Sequence, residues 1–315
     1  MTAGGDDESP EAPGHEGPCE HALTLVTVDS PPMATVGIVS PGAMGSAVGD
    51  ALRRGGVRVV ATVAGRSERS VRLAERAQLE LLPDLAAVVG AADIVLSIAP
   101  PDQAEAIAAE LARAALFADL NAVAPETAMR ISPVVDGSIS GPPPWQSGTT
   151  RIYLSGPRAD EVAALPFEGV EVVLVGDEVG AASAVKMSTA SVYKGSTGLL
   201  VQALRAAEHY GVLEHVLDDL GDLADQAGRR IGRAAAKSAR YDDEMHEIAA
   251  AQEAAGLTPA LFEGMAEVYS EIAGTGLAQA APEEAGSDLS EALRALGQRQ
   301  LPERLDVRDP DAHEA

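Results

Sequence analysis

Hydrophobic patterning divides the chain into two regimes. Short runs rich in β-branched residues recur at 36–39, 57–63, 94–98, 116–120, 134–139, 151–154 and 170–175. Between them, stretches near 45–54, 68–78, 83–90, 102–114 and 124–130 carry apolar residues at helical spacing. Strands alternating with helices predict a parallel sheet covered on both faces. Beyond residue 175 the strand-like runs stop. A helical pattern from about 178 to 210 ends at Gly211, a natural residue just past a helix end. At 1.5 Å per residue that helix spans roughly 45–50 Å, more than one small domain covers. Further helical segments follow near 212–237, 242–255, 258–273 and 287–297.

The turn after the first run adds chemistry. Ser40, Pro41, Gly42, Ala43, Met44 and Gly45 join the strand to a helical segment, as at the start of a dinucleotide-binding βαβ unit. Gly42 admits a pyrophosphate to the backbone, and Gly45 lets the helix pack close to the strand. The helix start offers free N–H groups and the positive end of its dipole to phosphates. Ser40 replaces the first glycine of the usual pattern. The expected fold class is therefore α/β: a Rossmann NAD(P)-binding domain over 34–175, then an all-α domain over 176–302, joined by the long bridging helix. Residues 1–33 and 303–315 read as flexible tails.

Cofactor preference is read at the end of the second run. An acidic residue there would bind the ribose 2′-OH of NAD. Arg66 and Ser67 stand there instead, with Arg69 close behind, and guanidinium and hydroxyl donors suit a 2′-phosphate. NADPH is thus expected over NADH. By their place in the fold, Ala99 and Pro100 should line the cofactor cleft, and Asn121 should approach the nicotinamide side.

Composition narrows the partners. With 46% hydrophobic residues and 3% aromatics over 315 positions, the chain reads as globular with an Ala-rich helical half. A formal charge of −25 argues against nucleic acid and anionic membranes. It leaves room for an anionic small molecule held by local basic groups. The lone Cys19 permits no disulfide framework or thiolate cluster, and His15, His21, His209, His215, His246 and His313 show no metal-ligand spacing, so no metal is expected. No apolar run approaches the roughly 20 residues of a membrane span, and the start lacks a signal-peptide pattern, so the reading is cytoplasmic.

Of 23 basic residues only Lys186, Lys194 and Lys237 are lysines, all in the helical half. Lysine loses its proton when desolvated or placed near another cation, and arginine does not. Lysine is therefore the basic group fit for proton transfer near neutral pH. Lys186 lies near the start of the bridging helix, beside the junction of the two halves, where small-molecule sites are common.

Taken together, 37–45, 136–143, 181–195 and 244–249 resemble the β-hydroxyacid dehydrogenase superfamily over roughly residues 34–300. That group includes 6-phosphogluconate and 3-hydroxyisobutyrate dehydrogenases, and imine reductases are its relatives. The nearest resemblance is to a branch whose helical domain is phosphogluconate-dehydrogenase-like. The resemblance implies a homodimer and hydride transfer with NAD(H) or NADP(H). It implies a substrate loop at 136–141, with Ser138, Ser140 and Gly141 in contact with substrate, and makes Lys186 the catalytic lysine. Two positions depart from the family. Ala190 stands where Asn is common, and Glu244 and Met245 stand at a Lys-Asp pair. Helical spacing puts 186, 190, 193, 194 and 197 near one face. Ala190 would then leave room for substrate, while Tyr193 or Lys194 supplies the missing polar contact and a second cation lowers the Lys186 pKa. Dimer pairing would bring Lys237 and Arg240 to the cleft. The loop carrying Trp145, the only tryptophan, would wall the substrate or simply pack. The expected activity is hydride transfer between NADPH and a small polar 3-hydroxy acid or related carbonyl compound. Imine reduction and non-catalytic NADPH binding are the alternatives.

Overall fold

The first apolar run forms strand β1 (Thr35–Val39) in a computed structural model that describes residues 34–131, 134–146, 148–279 and 288–297. It leads into α1 (Ala43–Arg54), β2 (Arg58–Ala61), α2 (Glu68–Arg76), β3 (Glu80–Leu81), α3 (Leu85–Ala91) and β4 (Ile94–Ser97). Then follow α4 (Ala104–Glu110), β5 (Phe117–Asp119), α5 (Pro125–Ile131), β6 (Val135–Ser140), β7 (Arg151–Ser155), α6 (Ala159–Ala163) and β8 (Glu171–Gly176). The sheet runs β3-β2-β1-β4-β5-β6-β7-β8, and all neighbours are parallel except β6 and β7. Strand order reverses between β1 and β4, where open α/β sheets leave a crevice at their carboxyl ends.

The two-residue strand repeat explains the layering. Val36 and Ile38 of β1 join Val48, Leu52 and Leu96 in one core. Val39 belongs with Val60, Val88 and Val95 in another. Alternate side chains leave opposite faces of a strand, so both faces of this sheet are covered.

Helices fill the rest: α7 (Ala181–His209), α8 (Leu213–Leu220), α9 (Ala227–Ala235), α10 (Ser238–Ala254), α11 (Ala260–Ala273) and α12 (Leu289–Gly297). The 29 residues of α7 extend about 44 Å. Val201 and Leu204 of α7 pack with Ile231, Met245, Ile248, Tyr269 and Leu293 in a separate helical core.

Several local expectations change. The segment 212–237 is not one helix: it breaks between α8 and α9, where Gly221 and Gln226 take positive φ angles of 48° and 58°. Strand β3 is a two-residue edge with both side chains exposed, too short for its alternation to register as a strand. The short α6 was also absent from the pattern, and β7 turns antiparallel to β6 through the proline loop. The expected tails and Cys19 lie outside the described residues. No helix among the described residues is long and apolar enough to cross a membrane, and no group of three or more His, Cys, Asp or Glu is placed to hold a metal.

Candidate functional site

Two helix starts build the site. The first is that of α1. Ser40 sits at φ 61°, a left-handed conformation that costs a non-glycine residue on the order of 1 kcal/mol. Its carbonyl accepts from the Gly42 N–H at 2.7 Å, and its hydroxyl accepts from the Arg66 guanidinium. A Cβ on Gly45 would stand 2.5 Å from the Ser40 carbonyl oxygen, so only glycine lets α1 approach β1 this closely. No side chain caps α1 at Gly42, and its first turn holds no acid. The first N–H groups of the helix therefore face the cleft with the positive end of the dipole.

The start of α7 is the opposite case. Asp136, 1% exposed on β6, reaches it from the sheet. One carboxylate oxygen accepts from the Gly180 N–H (2.9 Å), the Ser183 N–H (3.1 Å) and the Ser155 hydroxyl (3.0 Å). The other accepts from the Ser183 hydroxyl at 2.7 Å. The Ser155 hydroxyl accepts from the Ala182 N–H, and the Ser138 hydroxyl donates to the Ala182 carbonyl. A buried carboxylate is stable here because helix dipole and donors are all aimed at it. One turn further on, Lys186 Nζ donates to the Ile139 carbonyl at 2.7 Å. Burial first, and then the charge of Arg240, lower the Lys186 pKa to about 8.

Helix α10 supplies further charge. Lys194 of α7 forms a buried ion pair with Glu244, whose other carboxylate oxygen is paired with Arg240 Nε at 3.0 Å. Lys194 Nζ lies 4.6 Å from the Tyr241 ring centre. Tyr241 in turn meets Tyr269 edge-on, and the Tyr269 hydroxyl donates to the Lys194 carbonyl. Burial, then Lys186, Arg240 and Lys237, push the Lys194 pKa well below the usual lysine range.

These elements enclose one cleft of about 470 Å³, within the range of small-molecule sites. Ser40, Gly42, Ala43, Met44, Gly45, Arg66, Arg69, Ala99, Pro100 and Asn121 line the sheet side. Gly141, Lys186, Lys194, Lys237, Arg240, Tyr241 and Glu244 also line it. Lys237 and Arg240 reach the cleft within a single chain, so dimer pairing is not what brings them there.

Other expected residues stand elsewhere, each for a physical reason. Tyr193 is 73% exposed, because no element among the described residues covers its side of α7; it does not support Lys186. Ala190 is buried in the helical core and opens no space for substrate. Ser138 is fully buried and its hydroxyl is committed to Ala182, so it fixes α7 rather than lining the cleft. Ser140 is outside the lining although its neighbour Gly141 is within it. Pro41 is turned inward, its carbonyl accepting from the Ser46 hydroxyl. Ser67 caps α2 by accepting from the Ser70 N–H, and it is Ser70 that reaches the cleft. Trp145 does not wall the cleft. It packs on the sheet core beneath the Arg76 guanidinium, 4.2 Å from its ring centre.

Asn121 is held rather than free to bond a ligand broadly. Its side-chain oxygen accepts from the Ala99 N–H at 2.5 Å, and its amide donates to the Ser97 hydroxyl at 3.1 Å. Its backbone N–H donates to Asp119, a buried carboxyl beneath the cleft floor. Burial, opposed by that N–H and reinforced by Asp136, raises the Asp119 pKa to about 7. Tyr241 and Glu244 were not singled out as site residues. The spacing of 240, 241 and 244 along α10, with Lys237 just before its start, places them together, but only the opposing Lys194 shows that this side faces the cleft.

The fold is similar to those of solved structures. Conserved protein MTH1747, of unknown function and described as structurally similar to 3-hydroxyacid dehydrogenases, is 27% identical, with 76% of this chain and 96% of that chain covered and a TM-score of 0.58. The chain has a 3-hydroxyacid dehydrogenase fold. A conserved hypothetical protein from Sinorhizobium meliloti 1021 shares this dehydrogenase-like architecture at 28% identity, 84% and 96% coverage and TM-score 0.60. Mycobacterium tuberculosis 3-hydroxyisobutyrate dehydrogenase shares the fold at 18% identity, 84% and 99% coverage and TM-score 0.60. Residues 207–272 match a domain of unknown function, DUF1932, so the helical half of this dehydrogenase fold carries its own family signature.

Proposed function

We propose that the chain is an NADPH-dependent oxidoreductase that moves a hydride between nicotinamide and a small polar 3-hydroxy acid or related carbonyl compound. One observation carries the reading: the uncapped start of α1 and the amine of Lys186 open on the same cleft. The residues fit a dinucleotide. N–H groups of α1 would receive the pyrophosphate, and Arg66, anchored at Ser40, would meet a 2′-phosphate. When bound, the nicotinamide supplies or accepts the hydride.

The chain itself would supply placement and a proton. Asp136 and Ser138 fix the start of α7, and the Ile139 carbonyl holds the amine of Lys186 at the mouth of the substrate loop. With a pKa near 8, Lys186 exists in both protonation states near neutrality. Neutral, it takes the hydroxyl proton as the alcohol is oxidised; charged, it gives a proton to the carbonyl oxygen as it is reduced. We also assign a homodimer, supported by the exposed apolar side of α7, where Val192, Tyr193 and Leu199 are each 65% exposed or more.

Equilibrium binding of NADPH and NADH, followed by turnover of a panel of 3-hydroxy acids and cyclic imines, tests the reading. Tighter NADPH binding and oxidation of hydroxy acids are expected. Tight cofactor binding with turnover of imines alone, or of nothing, would replace it.

A further inference from the structure

Helix α10 meets the sheet half at a second place, away from the Lys194–Glu244 pair. Glu247 is half-buried, and one of its carboxylate oxygens accepts from the Ala124 N–H at 2.6 Å and from the Thr127 hydroxyl at 2.9 Å. Both partners are buried at the start of α5. The local sequence explains the need. Ala124 accepts the first bond of α5, from the Ala128 N–H, so it stands where a capping side chain is wanted, and alanine has none. Glu247 supplies from another element the contact that a glutamate in the first turn gives in a capping box. This turn is also a junction. Asn121, just before it, lines the cleft and holds the Ala99 N–H. On the other side Pro125 packs on the start of α7: a Cβ on Gly180 would lie 3.3 Å from the Pro125 Cβ, and the Gly180 N–H donates to Asp136. Val123 and Ala128 form a small core with Ala104, and Val179 packs against it. The floor of the cleft and the mount of Lys186 thus meet at the turn that Glu247 ties to α10.

We infer that Glu247 is a positioning residue: it seats α10 on the turn between Asn121 and the start of α7, and so sets where the nicotinamide lies relative to the amine of Lys186. This deepens the proposed reading and rests on it for the place of the nicotinamide. Glu247 is not among the residues lining the cleft, so it acts through the backbone it holds. The Thr127 hydroxyl also accepts from Arg130 Nη2 at 3.0 Å, and Arg130 pairs with Glu105 of α4. That outer pair is exposed and contributes little. The inner contact matters more, because hydrogen bonds to a charged acceptor are the stronger ones and the donors are buried. A glutamine at 247 can accept both through its amide oxygen. An alanine accepts neither and leaves the Ala124 N–H buried without its partner.

Amide exchange, cofactor emission and turnover test the role together, in the wild type, E247A, E247Q and the outer-pair control E105Q. In E247A the amides of 124–128 should exchange at least about tenfold faster, the scale of one lost charge-assisted bond, while E247Q stays within about threefold of wild type. NADPH affinity should stay within about threefold in every variant, because α1 and Arg66 would hold the phosphates. The fluorescence of the bound nicotinamide should fall toward that of free cofactor in E247A and return in E247Q. Turnover of hydroxy acids should lose about tenfold or more in kcat in E247A, with KM within about twofold and the pH limb of Lys186 in place. E105Q should match the wild type throughout. Should E247A fail to fold, T127V removes one of the two donors and should show the same changes at smaller size. Wild-type exchange at 124–128 in E247A overturns the inference, and so does faster exchange with bound-nicotinamide emission and kcat both unchanged. A protein that binds NADPH and oxidises no hydroxy acid loses the proposed reaction, and exchange and emission still decide the role of Glu247. A wild type that binds no NADPH overturns both.

Discussion

Helices α1 and α7 both begin beside the sheet, yet their N-termini are finished in opposite ways. Gly42 gives α1 no side-chain cap and no acid follows it, so its N–H groups look into the cleft. The N–H groups at the start of α7 are taken by Asp136 and Ser155, and Ser138 holds the Ala182 carbonyl. An open helix start is a place for an external anion. A closed one is a rigid mount, and Lys186 stands one turn beyond it. The proposed cofactor end and the proposed chemical end of the cleft thus use the same backbone dipole, once for a ligand and once for an internal carboxylate.

The mount is the easier of the two to break. Replacing Asp136 by Ala strands the Ser183 hydroxyl and the N–H groups of Gly180 and Ser183 in the interior. A loss of roughly 4 kcal/mol is expected, the scale of a broken buried charge network, read by denaturant unfolding. Asp136→Asn keeps the shape and should recover part of it. An Asp136→Ala protein with wild-type stability would mean that α7 is held by packing alone.

Asp119 lies one strand away, where Asn121 is its supporting partner among the described residues. Its folded pKa of about 7 stands above the usual carboxyl value. Between about pH 4 and pH 7 the folded state therefore binds more protons than the unfolded chain, and stability falls as pH rises through that window. Asp119→Asn should flatten this dependence and raise stability at pH 8 by about 2 kcal/mol. An unchanged slope of melting temperature against pH would assign the proton to another group.

The open end responds more gently. Ser40→Gly relieves a left-handed serine and should stabilise the protein by about 1 kcal/mol. It also removes the hydroxyl that holds Arg66, so the proposed preference for NADPH over NADH should narrow. A gain in stability with the preference intact would show that Arg66 needs no anchor.

How much of this was legible depended on the range of the interaction. The alternation of runs and the glycine turn are local, and they led to the sheet, to α1 and to the full span of α7. The break within 212–237 was hidden because Gln226 takes a left-handed backbone that its identity does not announce. The face of α7 was harder still. Tyr193 and Lys194 are adjacent in sequence, and spacing allows either to point at the cleft. Glu244 and Tyr241, some fifty residues on, draw in Lys194 and leave Tyr193 outside. Ser138 misled for the same reason: its partner, the Ala182 carbonyl, belongs to another element.

The proposed proton exchange between Lys186 and the substrate is read from the pH dependence of alcohol oxidation in wild type and Lys186→Met. The wild-type kcat/KM should climb with pH and level off above about pH 8, as the amine becomes neutral. Lys186→Met should lose that limb and on the order of a thousandfold in rate, while NADPH affinity stays within about threefold. A Lys186→Met enzyme that keeps its rate within tenfold and the same pH limb would contradict the account.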